Sequence, residues 1–178
     1  MNMTIDKAVS DKVKGGRSLF ERITLYIPLY RGYRSKNLRR DVDREVRMAV
    51  SLMIKATKRE LENVHRDVVD GGDMTLARKL ERIRNKVDTY NTKVEKAANG
   101  YSGVWASVKK LEKELDAVVE FDAKILESAG ELRKDAENLR NGIGQDITKI
   151  DDFERKVDAQ IEVYGQRELV LKGLAEEG

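Results

Sequence analysis

Cysteine is absent from this chain of 178 residues, and proline and histidine each occur once. The lack of cysteine excludes disulfide bonds, thiolate metal sites and cysteine nucleophiles. One proline, 6% aromatic residues and 38% charged residues are typical of long, exposed helices with narrow apolar stripes. No stretch approaches the roughly 20 apolar residues that span a bilayer, and the N-terminus has no apolar core of a secretory signal. We therefore expect a soluble, cytoplasmic protein, with membrane-peripheral attachment as an alternative.

What the chain does have is a regular apolar repeat in its second half. Apolar residues follow one another at alternating intervals of four and three, close to the repeat of roughly 3.5 residues in coiled coils and long helical bundles. The repeat comprises Val104, Val108, Leu111, Leu115, Val118, Ile125, Ala129, Leu132, Ala136 and Leu139, and its one polar position is Asp122. The predicted fold class is therefore all-α: an elongated, antiparallel, coiled-coil-like bundle of four helices with a short extra N-terminal helix.

The same patterns divide the chain into a flexible N-terminus and a single bundle. We assign residues 1–16 to the former and residues 17–175 to the latter. The predicted helices are 17–26, 37–70, 74–98, 103–141 and 145–174. Asp73 is expected to cap the third of these helices, after a break at two glycines. Two further glycines and a slip in the apolar repeat near residue 143 favour a turn there, and a continuous, kinked helix is the alternative.

Charge is distributed unevenly along the chain. Residues 1–110 contain 25 Lys and Arg against 14 Asp and Glu, a net +11, whereas residues 111–178 contain 10 against 18, a net −8. One interpretation is that the two parts pack together and neutralise each other. The other is that the basic part faces an external anion. Nucleic-acid binding is the weaker alternative despite an isoelectric point of about 9.0, because the acidic part would repel a phosphate backbone.

The most distinctive group of residues is a basic, aromatic segment that leads into the first long helix. Its predicted anion- or partner-binding residues are Tyr30, Arg31, Tyr33, Arg34, Lys36, Arg39, Arg40, Arg44 and Arg47. The cations outnumber Asp41, Asp43 and Glu45, which gives the segment a net charge of +4. Free backbone N–H groups in the first helical turn could join the arginines in holding a phosphate or a carboxylate cluster. The alternative is that these cations meet the acidic helices of the same bundle.

Two acidic residues are predicted to have structural roles. Asp43 lies four residues from both Arg39 and Arg47, so it can pair with either arginine. A carboxylate at an apolar helix position, as at Asp122, lowers stability unless a cation or a hydrogen-bond donor meets it. We expect Asp122 to set the helix register by pairing with an arginine or a tyrosine of a neighbouring helix. A role in a binding site and simple exposure are the alternatives.

Two other features bear on membranes and metals. The apolar residues from Leu19 to Tyr30, followed by arginines, resemble an interfacial membrane anchor, and a lid over the end of the bundle is the alternative. Glu62 and His65 have the Glu-x-x-His spacing of a di-metal bundle, but a single histidine cannot supply the second such motif. We expect neither a metal nor another cofactor.

The sequence IPLYRGYRSK occupies residues 27–36, and Gly-Tyr-Ser-Gly at residues 100–103 precedes Glu-Phe-Asp at residues 120–122. Both stretches resemble signatures of a family of uncharacterised prokaryotic all-helical proteins, whose first signature is Ile-Pro-Gly-Tyr-Arg-Gly-Tyr. Leu29 stands here where that family usually has glycine. The family has no established activity, so the resemblance implies only that the arginine-rich turn and Asp122 belong to a shared design.

These observations predict a binding protein rather than an enzyme. We expect a non-catalytic helical interaction or scaffold protein that binds an anionic partner through the basic, aromatic turn. That partner is either a membrane surface or an acidic protein face. A metal-binding or enzymatic bundle, a nucleic-acid-binding protein and a homo-oligomeric coiled-coil scaffold are the alternatives.

Overall fold

The computed structural model describes residues 19–32, 39–97, 112–142 and 147–176. Within these ranges every regular element is helical, so the predicted all-α class is confirmed. A short helix, α1, covers residues 19–26, and a 3-10 helix follows at Pro28–Gly32. The four long helices are α2 at Arg39–Asp70, α3 at Met74–Lys96, α4 at Glu112–Gly142 and α5 at Ile147–Glu176. The predicted flexible N-terminus, residues 1–16, lies outside the described residues.

The turn between α2 and α3 forms for reasons that are visible in the sequence. Gly72 adopts a positive φ of 81°, a conformation that glycine accepts without steric cost. Asp73 then caps α3, because its carboxylate accepts a hydrogen bond from the backbone N–H of Leu76 at 3.0 Å. The predicted cap is confirmed. At its other end α3 stops slightly earlier than predicted, with Ala97 as the C-cap residue.

Each long helix places one row of apolar residues in a common core. Buried positions recur mostly at intervals of three and four residues, so each helix has one inward face. The rows are Val42, Val46, Val50, Ile54, Leu61, Val64 and Val68 on α2; Leu76, Leu80, Ile83, Val87, Tyr90 and Val94 on α3; Val118, Ile125, Ala129, Leu132, Ala136 and Leu139 on α4; and Ile150, Phe153, Val157, Tyr164 and Leu171 on α5. Ile23 of α1 and Ile27, which directly follows α1, belong to the same core.

Side-chain contacts identify which helices lie side by side. The contacting pairs are Ser51–Asn91 (2.9 Å) and Lys58–Asp88 (2.5 Å) between α2 and α3, and Ser128–Gln160 and Asp135–Lys156 (2.5 Å) between α4 and α5. Residues 21 apart in sequence, such as the last pair, could not meet in one continuous helix, where they would be about 32 Å apart. Helices α4 and α5 therefore pack side by side and do not form one continuous helix.

Helices α3 and α5 meet through oppositely charged side chains. The cations come from α3 and the carboxylates from α5: Lys79–Asp151, Arg82–Glu154 (2.9 Å), Lys86–Glu154 (2.9 Å), Lys86–Asp158 (2.9 Å) and Lys93–Glu168 (3.2 Å). Hydrogen bonds from Arg82 and Lys86 lower the pKa of Glu154 to about 2. Cations of the basic part are thus paired with carboxylates of the acidic part at the contact between α3 and α5.

Candidate functional site

A buried ion network joins α2, α4 and α5. Its centre is Arg167 of α5, whose side chain is fully buried. The Nε atom of Arg167 donates to Oδ1 of Asp122 on α4 at 2.6 Å, and its Nη2 atom donates to Oδ1 of Asp43 on α2 at 2.6 Å. Both aspartates are buried as well. One guanidinium therefore connects three helices.

Two further side chains complete this ion network. Arg47, one turn after Asp43 on α2, donates from Nε to Oδ2 of Asp43 at 3.0 Å. Tyr30 of the 3-10 helix donates its hydroxyl to Oδ2 of Asp122 at 2.9 Å. Each buried carboxylate thus accepts hydrogen bonds on both oxygens, as burial of a charged carboxylate requires. The two arginines balance the two carboxylates, so the network has no net charge.

The local sequence around the 3-10 helix positions Tyr30. Pro28 begins this helix, because a proline ring fixes φ and needs no hydrogen bond from its nitrogen. The backbone N–H of Tyr30 then donates to the carbonyl of Ile27 at 3.0 Å. The ring of Phe20 packs edge-on against the Tyr30 ring, with their centroids 5.2 Å apart. The segment from α1 through the 3-10 helix is therefore attached to the ion network through one tyrosine.

Burial and charge pairing set the protonation states in the ion network. Burial raises the pKa of the Asp122 carboxyl, and the guanidinium of Arg167 opposes that rise. For Arg167, burial disfavours the charge, but Asp122 and Asp43 outweigh it and raise its pKa well above the usual value. Arg167 therefore remains a cation, and its charge allows two carboxylates to lie in the interior.

Asp122 has both kinds of partner that its position predicts, an arginine and a tyrosine, but the apolar pattern of the sequence did not identify Arg167. It also missed Gln160, whose Nε2 donates to the hydroxyl of Tyr90 at 3.1 Å and to the backbone oxygen of Ile125 at 3.0 Å. Both missed residues occupy inward positions of α5, where they alternate with the apolar residues of its buried row. Their spacing is the signal that could have found them.

The structure divides the predicted anion-binding residues between the interior and the surface. Tyr30 and Arg47 are 0% and 7% exposed, so we assign them to the ion network rather than to an external binding surface. Within the described residues, Arg47 pairs with Asp43 of its own helix and not with a carboxylate of α4 or α5. Arg31 and Arg44 are exposed, and neither has an ion-pair partner in the part of the chain that the structure describes.

The remaining predicted anion-binding residues lie at or beyond the edge of the described ranges. Arg39 and Arg40 begin α2, but their side chains are outside the described set. Tyr33, Arg34 and Lys36 fall between the 3-10 helix and α2, also outside the described residues. The exposed basic surface is therefore defined by Arg31 and Arg44.

The residues with metal-motif spacing form other contacts. Nε2 of His65 lies 3.9 Å from Oε2 of Glu81, and Glu62 pairs with Arg84 at 3.8 Å. Among the described residues, no group of three or more His, Cys, Asp or Glu side chains could hold a metal ion. No helix within the same ranges combines the length and the hydrophobicity that crossing a bilayer requires.

Comparison with known proteins adds no relative: no protein-family model, curated protein or solved structure matches this chain. The resemblance to the prokaryotic helical family stays a prediction based on two motifs. A function is therefore inferred from the geometry of the ion network and from the exposed basic surface.

Proposed function

We propose that this protein is a non-catalytic helical scaffold that binds an anionic macromolecule through the exposed arginines around the start of α2. The observation that supports this most is that Arg31 and Arg44 are exposed and, within the described ranges, have no ion-pair partner. Four cations of α3, by contrast, are paired with carboxylates of α5. Unpaired guanidinium groups on a surface are available to carboxylates or phosphates.

Burial of the Asp43–Arg47 pair leaves the net charge of the basic segment unchanged. The pair withdraws one anion and one cation, so the other residues from 30 to 47 still have a net charge of +4. The second oxygen of Asp43 is bound by Arg167, so this carboxylate does not neutralise the exposed arginines. Each arginine near a strongly anionic surface adds attraction of about 1 kcal/mol.

We propose further that α2 to α5 form a four-helix bundle in which consecutive helices are antiparallel. Residue numbers that rise on one helix and fall on the next support this arrangement: Ser51–Asn91, Lys58–Asp88 and His65–Glu81 between α2 and α3, and Ser128–Gln160 and Asp135–Lys156 between α4 and α5. The ion pairs between α3 and α5 rise together, so this neighbouring pair runs parallel. With 32 residues, α2 would be about 48 Å long, which makes the bundle elongated.

The use of the buried ionisable groups supports a non-catalytic role. The aspartates and arginines of the ion network bind one another across three helices. A general acid or base must instead reach the proton of a bound substrate. These groups hold helices together, and the bundle then positions the exposed arginines for a partner. We place this scaffold in the cytoplasm as part of the same proposal.

Binding of the purified full-length chain to three anionic probes tests this function. The probes are vesicles of phosphatidylserine and phosphatidylcholine, polyglutamate, and double-stranded DNA, each at low and high salt. We expect binding to vesicles or polyglutamate that weakens at high salt, because salt screens exposed charges. The variant Arg31→Glu/Arg44→Glu should bind about tenfold more weakly or worse, since each reversal removes an attraction and adds a repulsion.

The matched control is Arg66→Glu/Arg78→Glu. Arg66 and Arg78 are also exposed and, in the described ranges, without an ion-pair partner. Arg66 lies about 33 Å along α2 from Arg44, and the control makes the same change in net charge. We expect the control to retain binding within about twofold at an ionic strength of about 0.1 M, where charges beyond a Debye length of about 10 Å are largely screened. Equal losses in both variants, or binding to DNA alone, would contradict the proposed surface.

A further inference from the structure

The outer face of α1 and the 3-10 helix presents apolar side chains to solvent. Leu25 is 85% exposed, Leu29 is 44% exposed and Tyr26 is 43% exposed. The opposite face is apolar as well, since Ile23 and Ile27 are buried in the core. A surface helix normally has polar residues on its outer face. Leu25 and Leu29 are therefore left uncovered by the part of the chain that the structure describes.

Contacts with α4 hold this element in place with the two leucines outward. Arg22 forms an ion pair with Glu127 at 2.7 Å, and the hydroxyl of Tyr30 donates to Asp122 at 2.9 Å. Turning the leucines inward would break both contacts and expose the isoleucines of the inner face. These two contacts therefore favour the outward position of Leu25 and Leu29.

The charges beside the leucines favour an anionic lipid surface over a protein. Arg31 follows Leu29 by two residues and is exposed, whereas the exposed Glu21 lies at the other end of the element. Leucines next to basic residues are typical of elements that lie in the headgroup region of a bilayer. The most strongly bound positions of protein interfaces, by contrast, are poor in leucine.

We propose that Leu25 and Leu29 insert into the headgroup region of an anionic bilayer while Arg31 and Arg44 contact the lipid headgroups. This inference rests on the proposed function and identifies its anionic partner as a lipid surface. The ion network contributes by holding the segment through Tyr30, so that leucines and arginines meet the bilayer together. The attachment is peripheral and reversible, because two leucines bury far less apolar surface than a spanning helix.

Cosedimentation of the full chain with vesicles of phosphatidylserine and phosphatidylcholine tests the insertion. Leu25→Ser/Leu29→Ser should weaken vesicle binding about tenfold, the expected effect of keeping two partly buried leucines from the bilayer. The control is Met74→Ser/Leu169→Ser, at residues 52% and 67% exposed, and it should bind within about twofold of wild type because neither residue belongs to the proposed surface. Thermal unfolding followed by circular dichroism verifies that all the variants fold.

The outcomes separate the insertion from the underlying anion binding. If Leu25→Ser/Leu29→Ser binds vesicles as wild type does while Arg31→Glu/Arg44→Glu does not bind, insertion would be overturned. The proposed function would then still hold. Binding to polyglutamate without binding to vesicles would also overturn insertion but not the proposed function, and the anionic partner would then be an acidic protein. Equal weakening by both serine pairs would overturn insertion at this site. Failure to bind any anionic probe would overturn both proposals.

Discussion

Replacing Arg167 by methionine should destabilise the protein by about 3–5 kcal/mol, the usual cost of breaking a buried ion pair. Methionine can fill much of the space of the arginine stem, so the main loss is the guanidinium. Asp43 and Asp122 would then remain buried, each with an Oδ1 atom that has lost its donor at 2.6 Å. Domains are typically stable by about 5–15 kcal/mol, so this substitution would remove a large fraction of the total.

Urea denaturation followed by far-UV circular dichroism measures this loss. The double variant Asp122→Leu/Arg167→Met should be more stable than Arg167→Met by about 1–2 kcal/mol or more, because only Asp43 then remains, still paired with Arg47. The control Arg133→Met breaks an exposed pair with Glu137, and it should cost less than about 0.5 kcal/mol. A loss of unfolding free energy below about 1 kcal/mol for Arg167→Met would refute the argument. A double variant whose loss equals the sum of the losses from the two single substitutions would refute it as well.

The pH dependence of the same variant gives an independent check. Burial raises the pKa of Asp122 in the folded state, and loss of the Arg167 charge would raise it further. The folded variant then binds a proton more readily than the unfolded chain. The loss of stability of Arg167→Met relative to wild type should be greatest above the pKa of Asp122 in the folded variant. This loss should become smaller as the pH falls through that pKa. A deficit that grows on acidification would contradict this account.

Three other substitutions have defined outcomes. Tyr30→Phe should lower the free energy of unfolding by about 1.5–3 kcal/mol, the range for a hydrogen bond to a charged group. It should also speed amide hydrogen exchange in residues 19–32, and unchanged exchange would contradict the attachment of this segment through Asp122. In the wild type, the charged Glu154 contributes stability that is present above pH 4.5 and is lost as the pH falls towards 2, and Glu154→Gln should remove this contribution. A difference in urea midpoint between wild type and Glu154→Gln that does not change with pH would contradict the pairing. Gly130→Ala should stabilise α4 by about 1 kcal/mol in thermal or urea unfolding, because the added Cβ would lie at an ordinary 3.5 Å from the Tyr26 hydroxyl; a loss of stability would contradict this.

The helices could be predicted because their apolar residues alone define one inward face. On α3, Leu76, Leu80, Ile83, Val87 and Tyr90 repeat at intervals of four and three, and all five are buried. The start of α3 was equally predictable, since an aspartate after two glycines has a local capping geometry that no distant contact needs to establish.

The centre of the ion network was not predictable by the same rule, because that rule counted only apolar residues. On α5 the inward positions include Val157, Gln160, Tyr164, Arg167 and Leu171, which are separated by three, four, three and four residues. A spacing rule that admits polar side chains would have placed Arg167 inside. The identity of its partners, Asp43 and Asp122, would still be unknown, because two other helices supply them.

The placement of Arg47 depends on a drift in the inward face of α2. Val42, Val46 and Val50 are separated by four residues each, and every such step rotates the face by about 40°. This rotation brings Asp43 and Arg47 to the buried side, a result that charge counting along the segment cannot give. Arg44 of the same helix is exposed, and the local charge pattern places it among the predicted anion-binding residues.

The affinity ratio of two charge-reversal variants tests the central claim, anion binding by Arg31 and Arg44, most directly. Arg31→Glu/Arg44→Glu and Arg66→Glu/Arg78→Glu have the same net charge. At about 0.1 M salt, their affinities for the vesicles or for polyglutamate, whichever binds the wild type more tightly, therefore differ only through the position of the substitutions. We predict that the first variant binds at least about fivefold more weakly than the second. Equal affinities would contradict a localised anion-binding surface.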